Sequence, residues 1–284
     1  MEELVLNNEP LFRGVAAGGL LALFVLLEVL RPRRTRRFTR MRRWPVNLAI
    51  VVIDVLVLRV AVTLVAVGAA VGAAIWAQAE GIGLFVLIDL PYWVVVPASV
   101  LLLDCAIYWQ HRLFHEIPLF WRMHRMHHCD PDFDVTTALR FHPLEILLSM
   151  AIKIVLVVAL GAPALAVVLF EVLLNGAAMF NHANARLPAG LDRVLRLVLV
   201  TPDMHRVHHS VRPEETNSNY GFNLPWWDRL FGSYRAQPRD GHEGMTIGLT
   251  AYPDDKPTRL LWLLALPFLP LETVPAGMEK DEKR

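Results

Sequence analysis

Eight of the eleven histidines in this 284-residue chain fall into three short clusters: His111-Arg-Leu-Phe-His115, His124-Arg-Met-His127-His128 and His205-Arg-Val-His208-His209. The first is H-x3-H and the other two share the pattern H-x2-H-H. Residues three and four apart share a helix face, so each cluster can aim two or three imidazoles at one point. Imidazole is a borderline ligand that suits iron, zinc, copper or nickel. One H-x3-H pair arises by chance; three clusters, two of identical pattern, point to metal binding. A structural zinc ion takes four protein ligands and a catalytic one usually three, so these eight with His182 are enough for two ions at four or five each. At 100° per residue, Asp104, Tyr108, His111 and His115 form a narrow stripe, which makes Asp104 and Tyr108 expected partners of the ligands. Glu171, Asn175 and His182 share a face in the same way, unless Glu171 and Asn175 are simply paired polar groups of a bundle.

The elements that must hold these histidines are membrane helices. With 55% hydrophobic and 19% charged residues and a mean hydropathy of +0.39, the chain is too apolar for an ordinary soluble domain and far from disorder. Its apolar residues gather in runs: Leu11 to Leu30, Pro45 to Trp76, Pro91 to Leu103 continuing into the first cluster, Leu144 to Leu160, and Pro163 to Phe180. About 20 residues cross a hydrocarbon core. Pro45 to Trp76 is longer than one crossing needs and contains Asp54 and Arg59, so it is expected to tilt, kink or include a re-entrant piece. Gly161-Ala162-Pro163 breaks the last two runs into a hairpin. Leu191 to Val200 and Leu260 to Leu271 are too short to cross and read as interfacial. The first run is expected to be retained, because acidic residues precede it and arginines follow, the reverse of a secretory leader.

Between the first two runs lie eight arginines in thirteen residues, Arg31 to Arg43. The positive-inside rule places this loop in the cytoplasm, and a basic run of this kind is expected to be solvated and in contact with lipid head groups. Counting crossings from there puts all ten histidines from His111 to His209 on the cytoplasmic face. Lys+Arg 28 against Asp+Glu 27 gives no case for nucleic acid, and two cysteines, Cys105 and Cys129, make no disulfide framework. The expectation is an all-α polytopic membrane bundle of about four to five membrane helices with a cytoplasmic histidine-rich helical cap. Its parts are N-terminal membrane helices with the arginine-rich loop over 1–100, a histidine-bearing region including the membrane hairpin over 101–235, and a tail with a short interfacial helix over 236–284.

The clusters, in this order and interleaved with membrane spans, resemble the fatty acid hydroxylase and sterol desaturase superfamily of integral-membrane di-iron oxygenases, and within it the sterol-desaturase-like branch. Asp104 with Tyr108-Trp109-x-His111-Arg112 is similar to the first box, and Trp121-x2-His124 leads into the second. Arg140-x-His142-Pro143-x-Glu145, Asn181-His182-x-Asn184 and Thr201-Pro202-x2-His205 resemble the connecting motifs. Asn219-Tyr220-Gly221 and Trp227-Asp228-Arg229-Leu230-Phe231-Gly232 resemble the C-terminal signature. The likeness runs from about Leu101 to Ser233. Two positions depart from it: Asp203 stands where a basic residue is expected, which puts a local anion contact in doubt, and Arg186 stands four residues after His182 where related hydroxylases carry a second histidine.

The resemblance implies two iron ions held by His111, His115, His124, His127, His128, His182, His205, His208 and His209, with O2 as co-substrate. It also implies supporting roles for Asp104, Tyr108, His142, Glu145, Glu171, Asn175, Asn184, Asn219 and Asp228. His242, isolated in a polar tail, is expected to be solvated. The implied reaction is hydroxylation or desaturation of a lipid such as a sterol or hopanoid, a fatty acyl chain, an ether lipid or a carotenoid. Electrons are expected from a separate donor of cytochrome b5, ferredoxin or flavoprotein type. Two rivals are weighed against this: a membrane zinc metallohydrolase, for which Glu116 is the nearest candidate base, and a non-catalytic metal-binding membrane protein.

Overall fold

Inside a bilayer every backbone polar group must be satisfied within the protein, which leaves apolar runs like these only helices or closed barrels. The computed structural model describes residues 2–65, 70–88 and 90–271, and among them the chain is helical, with two isolated bridge pairings and no strand. The middle of the run from Pro45 to Trp76 and the last part of the C-terminal tail lie outside the described residues. The principal helices are α1 Glu2–Asn7, α2 Glu9–Leu30, α3 Arg40–Val65, α4 Ala70–Ala79, α5 Leu84–Leu87, α6 Tyr92–Glu116, α7 Pro118–His128, α8 Pro143–Leu160, α9 Ala164–Asn181, α10 Ala189–Leu195 and α11 Pro202–His208.

Six stretches are long and apolar enough to cross a membrane: 9–30, 40–61, 70–87, 92–116, 143–160 and 164–181. The chain is an integral membrane protein. The bundle has two distinguishable ends. At one, Gly161 turns α8 into α9 in a left-handed conformation (φ +60), and Gly83 (φ +113) packs so closely that a Cβ there would lie 2.2 Å from the Gly161 nitrogen. At the other, α6 delivers His111 and His115 to α7, and the first turn of α3 places Arg43 against Asp130 and Asp134 just beyond α7. The start of α3 and the end of α6 therefore share an end, and an even number of crossings separates them. Stretch 70–87 cannot add one: α4 has ten residues, about 15 Å of helix, and the chain turns before the four-residue α5. It re-enters at the glycine end, where Ala70 and Ala74 pack against Val157, Ala164 and Val167. Among the described residues this leaves five helices to cross, α2, α3, α6, α8 and α9, of the six stretches long and apolar enough to do so. Helix α9 is central, with 56% of its span buried against the others.

The arginine loop departs from expectation. It is not a solvated strip, because the histidine end supplies carboxylates that bind it. Fully buried Arg43 donates to Asp130 (2.6 and 2.9 Å) and Asp134 (2.5 Å). Arg40 donates to Glu28 (2.8 Å), which is also fully buried and accepts from the backbone N–H groups of Val135 (2.7 Å) and Asn184 (2.9 Å). The end of α2 and the start of α3 are thus bonded to the segments that flank His128 and His182.

Candidate metal centre

Helix geometry sets the direction of each histidine. His111 and His115 are one turn apart at the end of α6, His124, His127 and His128 occupy the last turns of α7, and His205 and His208 lie on α11 with His209 at its end. Thr201 caps α11 by accepting from the Met204 N–H, which starts that short helix at the required register. His182 ends α9. The structure gathers all nine histidines singled out in the sequence into two adjoining groups. His111, His115, His124, His128 and His208 form one; His127, His182, His205 and His209 form the other. Within each group the ligand atoms lie within 4.8 Å of one another.

The hydrogen bonds around the first group fix the tautomer of three of its rings. His111 Nδ1 and His208 Nδ1 face the carbonyl oxygens of Tyr220 and Ser218, each at 2.7 Å, and His124 Nδ1 faces Glu145 Oε1 at 2.7 Å. A carbonyl has no proton to give, so those Nδ1 atoms carry the hydrogen and a neutral ring presents a bare Nε2. The three Nε2 atoms nevertheless converge, 3.1 Å between His111 and His124 and 3.0 Å between His208 and His111. Lone pairs aimed at one another at that distance repel unless a cation lies among them. In the second group His182 donates from Nδ1 to the Ala178 carbonyl (2.7 Å) and turns Nε2 toward His127 (3.0 Å) and His205 (3.2 Å). His128 Nε2 and both nitrogens of His209 are buried with no hydrogen-bond partner among the described residues. Burial holds His124 and His182 at about 3, and burial with neighbouring imidazoles lowers His127, His128, His205, His208 and His209 well below 6.5. Neutral imidazoles with free lone pairs are the state a metal requires, and the donor set fits two borderline cations.

Aromatic rings fix the imidazoles further. Phe141 stacks on His127 at 4.6 Å with a 10° interplanar angle, and Phe133 stacks on His182 at 5.4 Å. Only His115 of the nine is incompletely buried, and two surface cavities of about 370 and 340 Å³ border it.

The remaining expected residues divide. Glu145 bonds His124 directly. Asp104 accepts from Asn223 (2.8 Å) and Trp227 (2.8 Å), and Tyr108 shares a hydrogen bond with Ser233 (2.8 Å), so both support the C-terminal segment that supplies the Tyr220 carbonyl. Asp228 braces the same segment by accepting from the N–H groups of Tyr220 (2.8 Å) and Gly221 (2.9 Å). Asn219 takes a left-handed backbone (φ 51), which Asn tolerates, and ties Met204 to Arg235. Asn184 grips the backbone of Arg34 through both its amide atoms, at 2.9 Å each. His142 caps α8 and faces the Leu264 carbonyl (3.1 Å), a structural position.

Three expectations are corrected. Glu171 does not turn toward the histidines, because Arg13 of α2 and Lys153 of α8 pair with it lower in the bundle, and Asn175 is exposed. His242 is buried, not solvated: burial lowers it to about 4, and Asp203 lies 3.7 Å away. Asp203 itself binds Arg33 and Arg206, which explains an acidic residue at that position. Sequence reasoning missed the carbonyls of Tyr220, Ser218 and Ala178, which any residue type supplies, and Glu28, whose signal was a lone carboxylate closing an apolar run beside arginines.

The sequence model of the fatty acid hydroxylase family matches residues 96–233. An ornithine lipid hydroxylase of Rhizobium tropici is 32% identical over 155 residues, 55% of this chain and 45% of that protein. An alkylglycerol monooxygenase of Homo sapiens is 33% identical over 148 residues, 52% of this chain and 31% of that protein. The alkylglycerol monooxygenase of Xenopus tropicalis is 30% identical over 150 residues, 52% of this chain and 32% of that protein. The chain thus spans less than half the length of these relatives. No solved structure matches.

Proposed function

We propose that this protein, whose residues 96–233 match the fatty acid hydroxylase family, is a membrane-bound non-haem di-iron oxygenase that hydroxylates a lipid with O2 and electrons from a separate donor. The observation that carries the reading is the pair of all-histidine groups whose bare nitrogens converge. Lipid hydroxylation is favoured over desaturation because the relatives are hydroxylases and monooxygenases by name. The catalytic unit covers 101–235 and is completed by Glu28 and the arginine loop of the N-terminal helices. By the positive-inside rule the histidine end faces the cytoplasm.

In this proposal His111, His115, His124, His128 and His208 hold one iron and His127, His182, His205 and His209 the other. Two irons, when bound, supply the O2-dependent cleavage of an unactivated C–H bond. The chain's own residues orient and exclude. Tyr220, Ser218 and Ala178 fix three imidazoles in the tautomer that frees Nε2, and the Glu145 carboxylate opposite His124 raises that ring's basicity. Burial of eight of the nine histidines keeps bulk water from the rings, and a substrate carried in the bilayer would approach along the helices that end at them. A zinc hydrolase would need a carboxylate base beside the metal. Glu116, the candidate for that role, instead accepts from Arg112 at 2.7 Å.

The test is metal analysis of the full chain purified from iron-replete membranes, with lipid extracts from expressing and non-expressing cells compared by mass spectrometry. We expect about two irons per chain and a lipid heavier by about 16 mass units, the addition of one oxygen. Zinc in place of iron, or a lipid lighter by about 2 mass units, would overturn the metal or the reaction respectively.

A further inference from the structure

The loop between α2 and α3 curves round a surface cavity of about 750 Å³ whose opposite wall is Arg186 with Glu243. Arg33, Arg34, Arg36, Arg37 and Arg40 line it from the loop side. Some of these charges are met: Arg33 donates to Asp203 (3.1 Å) and Glu243 (2.9 Å), Arg186 to Glu243 (2.5 Å) and Arg40 to Glu28 (2.8 Å). Others are not. Arg34 donates to the carbonyls of His242 and Met245, and Arg37 to that of Pro253, which satisfies hydrogens but leaves the charge. The nearest carboxylate oxygen recorded for Arg36 is on Glu28, at 3.9 Å. Counting Asp132, whose carboxylate accepts from the backbone of Arg37 and Phe38, six guanidinium groups face four carboxylates, an excess of two positive charges. Moreover, the Nε atoms of Arg36 and Arg40 are buried donors with no acceptor among the described residues. A buried, unpaired charged donor is costly unless a ligand meets it.

We propose that this cavity binds the phosphate of an anionic lipid head group. Guanidinium forks match phosphate oxygens two at a time. The lipid source follows from placement, since the loop joins Leu30, the last residue of one crossing helix, to Arg40, the first of the next, and the cavity therefore lies at head-group depth. Occupancy would also brace the centre: Asn184, two residues after His182, grips Arg34, and Asp203, two residues before His205, pairs with Arg33. The proposal needs the membrane topology but not the identity of the metal.

The experiment is native mass spectrometry of the full chain released from nanodiscs of phosphatidylcholine containing about 20% phosphatidylglycerol. The wild type is expected to retain phosphatidylglycerol selectively. Arg36→Gln should reduce that retention by on the order of tenfold. Thr35→Glu should do the same, since Thr35 is exposed in the cavity and the substitution adds a carboxylate while leaving every described ion pair intact. Arg259→Gln, outside the cavity, should retain the lipid. Equal retention of both lipids by the wild type, or undiminished selectivity in a folded Thr35→Glu variant, would overturn the proposal. So would uptake of inorganic phosphate without any lipid, which would assign the cavity to a soluble anion.

Discussion

His111, His124 and His208, each with a carbonyl or carboxylate on Nδ1, are held in one tautomer, whereas His127 is fixed by the stacked Phe141 ring. His127 is one of four histidines in its group, so His127→Ala leaves three. We expect the variant to insert in membranes normally, to carry about half the iron of the wild type or less, and to form no hydroxylated lipid; iron content and product equal to wild type would refute its assignment as a ligand. Glu145→Gln tests a different role. The amide carbonyl can still accept from His124 Nδ1, now 2.7 Å from the carboxylate, but the negative charge is gone. Iron affinity should fall about 10- to 100-fold without loss of the site, as chelator titration would show. These side chains were legible because ligands must be particular residue types at helical spacing. The carbonyls of Tyr220, Ser218 and Ala178 do equal orienting work and were not legible, because every residue has one.

Element ends, and not element interiors, hold the cap to the bundle. Arg43 enters from the first turn of α3 and meets Asp130 and Asp134, all three fully buried. Arg43→Met would leave buried Asp134 without its ion-pair partner and Asp130 with Arg140 alone, at 3.8 Å; removing one partner of a buried pair costs about 3–5 kcal/mol. A large fall in the thermal midpoint of the detergent-solubilised protein is expected, with iron lost alongside, whereas Arg186→Ala, at an exposed pair with Glu243, should leave the midpoint in place. A midpoint unchanged in Arg43→Met would show that the α3 junction does not hold the cap. The crossing helices themselves were legible, since α8 and α9 fall within a residue or two of the apolar runs and break at Gly161. The junctions were not: the arginine run is contiguous in sequence, but its partners Asp130, Asp134, Asp203 and Asp255 are 87 to 213 residues away. Glu171 shows the same limit, for a helical wheel shows which residues share its face but not that Arg13 and Lys153 arrive from two other helices.

At the scale of the whole molecule, one end of a bilayer bundle concentrates buried neutral histidines, and its response to acid follows. His124 and His182 lie at about 3 in the fold against about 6.5 in the unfolded chain. Above about 6.5 both forms are neutral and pH has little effect. Below it the unfolded chain takes up protons that the folded one refuses, at about 1.4 kcal/mol per histidine per pH unit, and protons also compete for the metal. Asp228, pushed up to about 6 by burial, and Asp132, also raised by burial, work in the opposite direction, but the seven lowered imidazoles of the centre outnumber them. The thermal midpoint should therefore be flat above pH 7 and fall together with bound iron below about 6.5; a midpoint that rises on acidification would contradict the burial of neutral rings. The placement of that end also depends on how many times the chain crosses. If 70–87 crossed the membrane, Leu90 would lie at the histidine end; if the stretch re-enters, Leu90 lies at the end marked by Gly83 and Gly161. In a background lacking Cys105 and Cys129, Thr35→Cys and Leu90→Cys should react with a membrane-impermeant thiol reagent from opposite sides of sealed vesicles. Labelling of both from one side would make the number of crossings between α3 and α6 odd. The start of α3, held to Asp130, and the end of α6, carrying His111, could not then meet at one face.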